Sequence, residues 1–171
     1  MTNLPTLDQT DRKILEILSD NARMSNAELA RRMGMAPSAT FERIRKLEER
    51  GVILGYRARI DPRVLDLGLL AFVLVRSNET PGTPDTGPQL ARIPQVIEVH
   101  EVAGEDCFLL KVRARDPEDL ANILREQIKP IPSVTHTRTT IVLLTVKESG
   151  ALPVAMEPET RVVEVTKQRA G

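Results

Sequence analysis

Aromatic residues are nearly missing from this chain of 171 residues, which has no tryptophan, one tyrosine (Tyr56) and three phenylalanines (Phe41, Phe72, Phe108). So few rings cannot supply the successive stacking platforms that single-stranded nucleic acid requires. A single cysteine, Cys107, rules out an internal disulfide and fits a reducing compartment. It has no basic sequence neighbour to activate it as a nucleophile. No apolar run approaches membrane-spanning length, and the first residues lack a signal-peptide core, so a cytoplasmic protein is expected. Also missing are a phosphate-cradling glycine loop, a metal-ligand cluster and a nucleophile motif, so no catalytic residue, metal or cofactor is expected. Internal repeats and low-complexity tracts are absent as well.

Neither sign of charge is in excess, with 24 Lys and Arg against 24 Asp and Glu. The balance conceals a gradient. Residues 1–60 hold eleven cations against eight acids, and the remainder thirteen against sixteen. A basic front and an acidic back suit one lobe that meets nucleic acid and one with other duties. The length allows two compact domains.

What the chain does contain begins with two short amphipathic segments. Ser25-x-x-Glu28 opens the first as a capping box, in which each side chain accepts the other's free backbone N–H. Gly34 supplies a permissive turn, and Pro37 fits a first helical position, where no N–H is needed. At about 100° per residue the second segment places Phe41, Ile44 and Leu47 on one stripe, with Thr40 and Glu48 beside it. Ser38, Ala39, Glu42, Arg45, Lys46 and Glu49 lie opposite, with Arg43 flanking the seam. Two helices joined in this way form a helix-turn-helix, whose second helix turns its early residues to base edges and its later ones to phosphates. Ser38, Ala39 and Glu42 are therefore candidate readers of duplex DNA, and Arg43, Arg45 and Lys46 candidate phosphate anchors. The plainer alternative is a solvated charged face. A preceding segment, Asp8 to about Asp20, repeats the helical spacing with Ile14, Leu15, Ile17 and Leu18, and carries Asp8 and Asp11 in its first turn. The three segments predict a small core of Ile14, Ile17, Leu18, Leu29, Met33, Ile44 and Leu47.

Beyond Gly51 the period changes. Tyr56, Ala58 and Ile60 alternate with Arg57 and Arg59, which predicts a strand ended by Asp61-Pro62. The expected divisions are a helix-turn-helix domain at 1–51, a linker strand at 52–66, a second domain at 67–150 and an extension at 151–171. Within the second domain, Leu69 to Val75 reads as a buried strand, Asn78 to Pro88 as a loop, and Gln89 to Arg92 as a short helix. Val96 to Val102 and Phe108 to Arg115 read as strands. Asp116 caps a helix begun by Pro117, with Leu120, Ile123, Leu124 and Ile128 inward, and Val134 to Lys147 reads as the last strand. The order strand-helix-strand-strand-helix-strand is ferredoxin-like. The fold class is thus α+β, with an N-terminal three-helix winged-type helix-turn-helix domain and a C-terminal ferredoxin-like βαββαβ domain. Such a sheet has helices on one face only. Its other face carries apolar side chains, and at about 25 cal/mol per Å² a second copy is the expected cover. A helix-turn-helix also works best in pairs on a two-fold site, so at least a homodimer is expected.

This order of parts resembles the leucine-responsive/AsnC (feast/famine) family of transcriptional regulators over about Leu7 to Leu152. The resemblance rests on Leu7-Asp8 with Asp11 and Ile14-Leu15, on Asn26-Ala27-Glu28-Leu29-Ala30, and on Ser38 with Arg43-Ile44-Arg45-Lys46-Leu47-Glu48 followed by Gly51-Val52-Ile53. It implies that the ferredoxin-like part is a regulatory domain that pairs into dimers and stacks dimers, up to an octamer, with an amino acid at the interface between dimers. Gly104-Glu105-Asp106-Cys107-Phe108 is similar to the family's pocket loop, with Cys107 where a second acid is usual. Gly104 lets backbone N–H groups approach an α-carboxylate, and Glu105 or Asp106 can meet an α-ammonium. Thr137, Thr139 and Thr140 offer hydroxyls by the same analogy. The alternative is a solvated hairpin tip and ordinary strand threonines. Ala36, where the family has Ser, is a further departure, and the stretch from Pro153 to Gly171, with Arg161 to Val165 as a short strand or irregular, extends past the resemblance.

The implied function is sequence-specific regulation through double-stranded DNA, with assembly and affinity modulated by an amino acid effector, and no enzyme activity. Two alternatives stand beside it. Siroheme decarboxylases resemble the same architecture, with His100 and His136 as haem-site residues, although each alternates within a strand as a plain residue does. A ligand-independent architectural protein that coats DNA through phosphate contacts would bind with steep salt dependence and little discrimination.

Overall fold

The computed structural model describes residues 6–78, 85–149 and 152–154. The expected segment Arg161 to Val165 and most of the loop after Asn78 lie outside them. The chain divides into two compact units, one spanning Arg59–Glu148 and one built on the helices that precede it.

In the helical unit, α1 (Gln9–Asp20), α2 (Asn26–Met33) and α3 (Pro37–Glu49) each start for a local chemical reason. The Asp8 carboxylate accepts the Asp11 N–H at 2.7 Å, and the Asp11 carboxylate accepts the Asp8 N–H at 3.3 Å, a reciprocal capping box. At α2, Ser25 Oγ accepts the Glu28 N–H at 3.2 Å, but the return half is missing because Glu28 holds Arg31 and Arg32 instead. Gly34, at φ 65°, ends α2 in the left-handed region that glycine tolerates. No side chain caps α3 at Ala36, and Pro37 opens it.

Ile14, Leu29, Ile44 and Leu47 form the buried core, with Ile17, Leu18 and Met33 partly buried around it. Phe41 departs from the expected stripe. It is 52% exposed, while Thr40 is fully buried. Positions 40, 44 and 47 are the set that faces the other helices, and a threonine fits there because its hydroxyl donates to the Ala36 carbonyl at 3.2 Å.

The second unit is a four-stranded antiparallel sheet in the order β2-β3-β1-β4, from β1 (Leu69–Ser77), β2 (Val96–Glu101), β3 (Phe108–Ala114) and β4 (Val134–Ile141). Helices α4 (Thr86–Ala91) and α5 (Pro117–Ile123), the latter continued by a π turn at Leu124–Ile128, complete the ferredoxin-like order. Ala71, Val73 and Val75 from β1 and Phe108, Leu110 and Val112 from β3 pack against Leu90, Leu120, Ile123 and Ile128. The alternate residues Phe72, Leu74 and Leu109 occupy the outer face and are half-buried. On that face Lys111 Nζ reaches Glu98 at 3.1 Å and Glu148 at 2.6 Å, and Arg113 reaches Glu148 at 3.3 Å.

Three boundaries differ from the sequence pattern. Residues 54–61 alternate but are irregular, since no neighbouring strand pairs with them among the described residues. The last strand stops at Ile141, which pairs with Ala71, and just beyond it the Leu70 carbonyl accepts the Val142 N–H at 2.9 Å. α4 starts at Thr86 rather than near Gln89, because Pro88 falls in its first turn, where a missing N–H costs nothing.

Leu110 is fully buried at the centre of the sheet core. Leu110→Ala is expected to destabilise this unit by about 2–5 kcal/mol, the range for a leucine-sized core truncation, measured by urea unfolding.

Candidate functional site

Helix α3 divides its polar residues into two sets. Ser38, Ala39, Glu42, Arg45 and Lys46 are exposed on the side away from Thr40, Ile44 and Leu47. Arg43 is turned toward α1. Its Nη1 donates to Asp8 Oδ2 at 2.7 Å and to Asp11 Oδ1 at 2.8 Å, and Asp11 is only 7% exposed. The Asp11 backbone N–H and the Arg43 guanidinium hold the Asp8 carboxyl below its ordinary value of 3.8, while Asp8 and Asp11 push the Arg43 guanidinium up. A cation held by two carboxylates fastens α3 to the start of α1, and its charge is already answered there.

Arg45 lies between two acids of its own helix, Nη2 donating to Glu42 at 2.9 Å and Nη1 to Glu49 at 2.6 Å. Lys46 makes no hydrogen bond or ion pair among the described residues. Of the three candidate anchors it alone offers an uncommitted charge. The Tyr56 hydroxyl donates to Glu48 at 2.9 Å, and desolvation together with that carboxylate pushes the phenol up to about 12. Tyr56, Phe41, Met24 and Leu18 line a depression of about 260 Å³ beside α3. The sequence pattern did not single out this linker contact, and only the alternation that exposes Tyr56 hinted at it.

In the sheet unit the 103–107 turn joins β2 to β3. Gly104 has φ 146°, and no atom lies within 4 Å of where a Cβ would be, so the backbone conformation and not crowding demands glycine there. Glu105 accepts from Arg76 Nη2 at 3.0 Å, and Asp106 from Arg138 Nη2 at 3.0 Å. Arg76 Nη2 also lies 4.0 Å from Asp106. Both loop acids are thus answered by arginines from β1 and β4, a pairing that strand alternation could not reveal without knowing that β1 lies between β3 and β4. Cys107 points its thiol at the β1 backbone, donating to the Ser77 carbonyl at 3.6 Å while its sulfur accepts the Ser77 N–H at 3.5 Å. It closes the loop onto the strand.

The three threonines do not share a face. Thr137 and Thr139 stand opposite Val75 and Val73 on the helix side and are half-buried, whereas Thr140 stands opposite Phe72 on the outer side and is exposed. Arg138 shares the outer side, opposite Leu74. His100 and His136 lie on β2 and β4, the two edges of the sheet. Three strand spacings separate them by roughly 14 Å, so the pair cannot hold one iron within a subunit.

Residues 70–152 match the family model described as the Lrp/AsnC ligand binding domain, and residues 7–53 match that of a winged helix-turn-helix DNA-binding domain. The chain is 39% identical over 150 residues to the leucine-responsive regulatory protein of Escherichia coli (strain K12), covering 85% of this chain and 90% of that one. A transcriptional regulator from Neisseria meningitidis, solved as a complex with L-Met, superposes with a TM-score of 0.80 at 28% identity, covering 88% of this chain and 98% of that one. A feast or famine regulatory protein from M. tuberculosis, complexed with L-methionine, superposes with a TM-score of 0.77 at 37% identity, covering 84% and 96%.

The two cations of α3 should separate by measurement. Arg43→Met is expected to lower the stability of the helical unit by about 1–2 kcal/mol, a figure reduced because Arg43 and Asp8 remain partly solvated. Since the Asp8 carboxyl is depressed in the folded chain, its share of stability is full above 3.8 and is lost as pH falls through the lower folded value. Thermal unfolding in an acid series checks both points. Lys46→Ala should leave unfolding unchanged while reducing the slope of log affinity for duplex against log salt by about 1.

Proposed function

The chain belongs to the Lrp/AsnC family of DNA-binding transcriptional regulators, and from that premise we propose that it binds duplex sites in pairs under the control of an amino acid held at the 103–107 loop. In this reading residues 1–51 read DNA, 52–66 join the parts, and 67–150 bind the effector and assemble the subunits. The observation that carries the effector half is the opposed charge at the loop. Glu105 and Asp106 meet Arg76 and Arg138 beside a glycine in the left-handed half of backbone space.

An α-amino acid carries both charges on one carbon, so it can exchange with such ion pairs group for group. Its ammonium takes the place of a guanidinium at an acid, and its carboxylate that of an acid at Arg76 or Arg138. The regulators from Neisseria meningitidis and M. tuberculosis solved with L-methionine support this ligand class. Thr140 lies on the arginine side of the sheet, and Thr137 and Thr139 would have to act from the other side.

The half-buried Phe72, Leu74 and Leu109 on the outer face favour pairing of sheets between two copies, and stacking of dimers, up to an octamer, extends the same logic. No helix among the described residues is long and apolar enough to cross a membrane, and the reading puts the protein in the cytoplasm with its DNA. Control requires that the amino acid bind one assembly state more tightly than the other, because equal affinity shifts no population. Sedimentation and duplex binding with a panel of L-amino acids test it. At least one member is expected to change both together, and Glu105→Ala should blunt the response. A panel without effect on either measurement would leave a constitutive DNA binder.

A further inference from the structure

The outward stripe of α3 is not the run of cations that a phosphate-binding surface presents. Ser38, Glu42, Arg45 and Glu49 follow one another at three- and four-residue spacing, and all are exposed. Arg45 bridges the two carboxylates, at 2.9 Å to Glu42 and 2.6 Å to Glu49. Two acids against one guanidinium leave this triad net negative, and Lys46 beside it brings the exposed side only to balance. Duplex DNA carries a phosphate charge every ~1.7 Å of axis, so such a triad loses by approaching the backbone. It gains only where a carboxylate oxygen meets a hydrogen-bond donor.

On the floor of the major groove the donors are the exocyclic amino groups of cytosine and adenine, while guanine O6 and N7 and thymine O4 accept. Adenine sets its amino group beside the acceptor N7, which repels the second oxygen of a carboxylate. Cytosine has no such neighbour. Its partner guanine offers two acceptors, O6 and N7, that suit a guanidinium fork, and Arg45 has N–H donors beyond the two that hold the acids. The Arg45 contact keeps the Glu42 carboxyl below its ordinary range, so this side chain enters the groove as an anion that can only accept.

We propose that Glu42 is the specificity-determining residue of this helix, reading cytosine N4 in the major groove while Arg45 holds its carboxylate and reaches guanine. Glu42 is the sixth residue of α3, in the half that docks toward base edges. Glu49 lies seven residues on, about 10 Å along the axis, where it acts as a positioning residue that keeps Arg45 extended along the stripe. Exclusion matters as much as attraction here, because a carboxylate set against guanine or thymine faces an acceptor with no proton between them.

The proposal rests on the duplex-binding reading above, and the test keeps the two apart. The intact protein, Glu42→Ala and Glu42→Gln are used to select from a randomised duplex library at one salt concentration. Selected duplexes are then retested with each base pair changed singly, and circular dichroism confirms that the variants fold. The parent is expected to require a C·G pair at one position of each half-site, with a loss of about tenfold on changing it. Glu42→Ala should flatten that preference and bind random duplex more tightly, since a repelled charge is gone. Glu42→Gln should move the preference toward adenine, whose N6 and N7 match an amide. Variants that select the same base as the parent at every position would overturn the proposal, as would a parent that binds duplex without sequence preference, which leaves the duplex-binding reading intact. A parent that binds no duplex overturns both.

Discussion

Arg43 shares one guanidinium nitrogen between Asp8 and Asp11, and the shape of the helical unit follows from that contact. The same two carboxylates cap α1, so a single charge cluster starts the first helix and fixes the third against it. Asp11 is nearly buried, and an unanswered carboxylate there would be costly. With Arg43 turned inward, the exposed side of α3 is left to Ser38, Glu42, Arg45, Lys46 and Glu49, a stripe in which only Lys46 carries a charge with no partner of its own. The allocation is economical. Cations that a helical projection assigns alike to solvent are engaged differently: Arg43 fastens helices, Arg45 holds two acids in place, and Lys46 is left without an ion pair among the described residues.

The sheet unit uses charge differently. Its outer face pairs half-buried Phe72, Leu74 and Leu109 with a row in which Glu98, Lys111, Glu148 and Arg113 neutralise one another. Lys111 and Arg113 are barely exposed, their side chains at 14% and 13%. An apolar patch alone favours burial in any register, whereas a row of mutually satisfied ions tolerates only arrangements that keep every partner. A surface packed against this face would draw its specificity from the ionic row and its affinity from the patch beside it.

Much of this architecture could be read from the sequence, and what escaped shares one cause. Capping groups, Pro37, Gly34 and the apolar spacing of α1 and α2 act within a few residues, so the helices and their starts were visible. The order of strands and helices also followed from period together with the Pro and Gly breaks and the Asp116-Pro117 cap. Phe41 is exposed and Thr40, read as lying beside the apolar stripe, is buried, because the projection of a helix does not say which way its neighbours lie. Residues 54–61 alternate as a strand does, yet a strand exists only with a partner. At the candidate sites, Glu105 and Asp106 were identifiable from their loop, but Arg76 and Arg138, which answer them, come from strands 29 and 32 residues away in sequence. Thr140 was grouped with Thr137 and Thr139 by family analogy, and the pleat separates them.

The bond from Tyr56 to Glu48 has an optical consequence. With no tryptophan in the chain, Tyr56 is its sole tyrosine, and its emission is not masked by energy transfer to indole. A phenol that donates to a carboxylate is quenched through that contact, and one released to water brightens. The molecule thus contains an intrinsic fluorophore at the joint between its reading helix and the connecting segment, so that undocking of the connector is visible as light without any label.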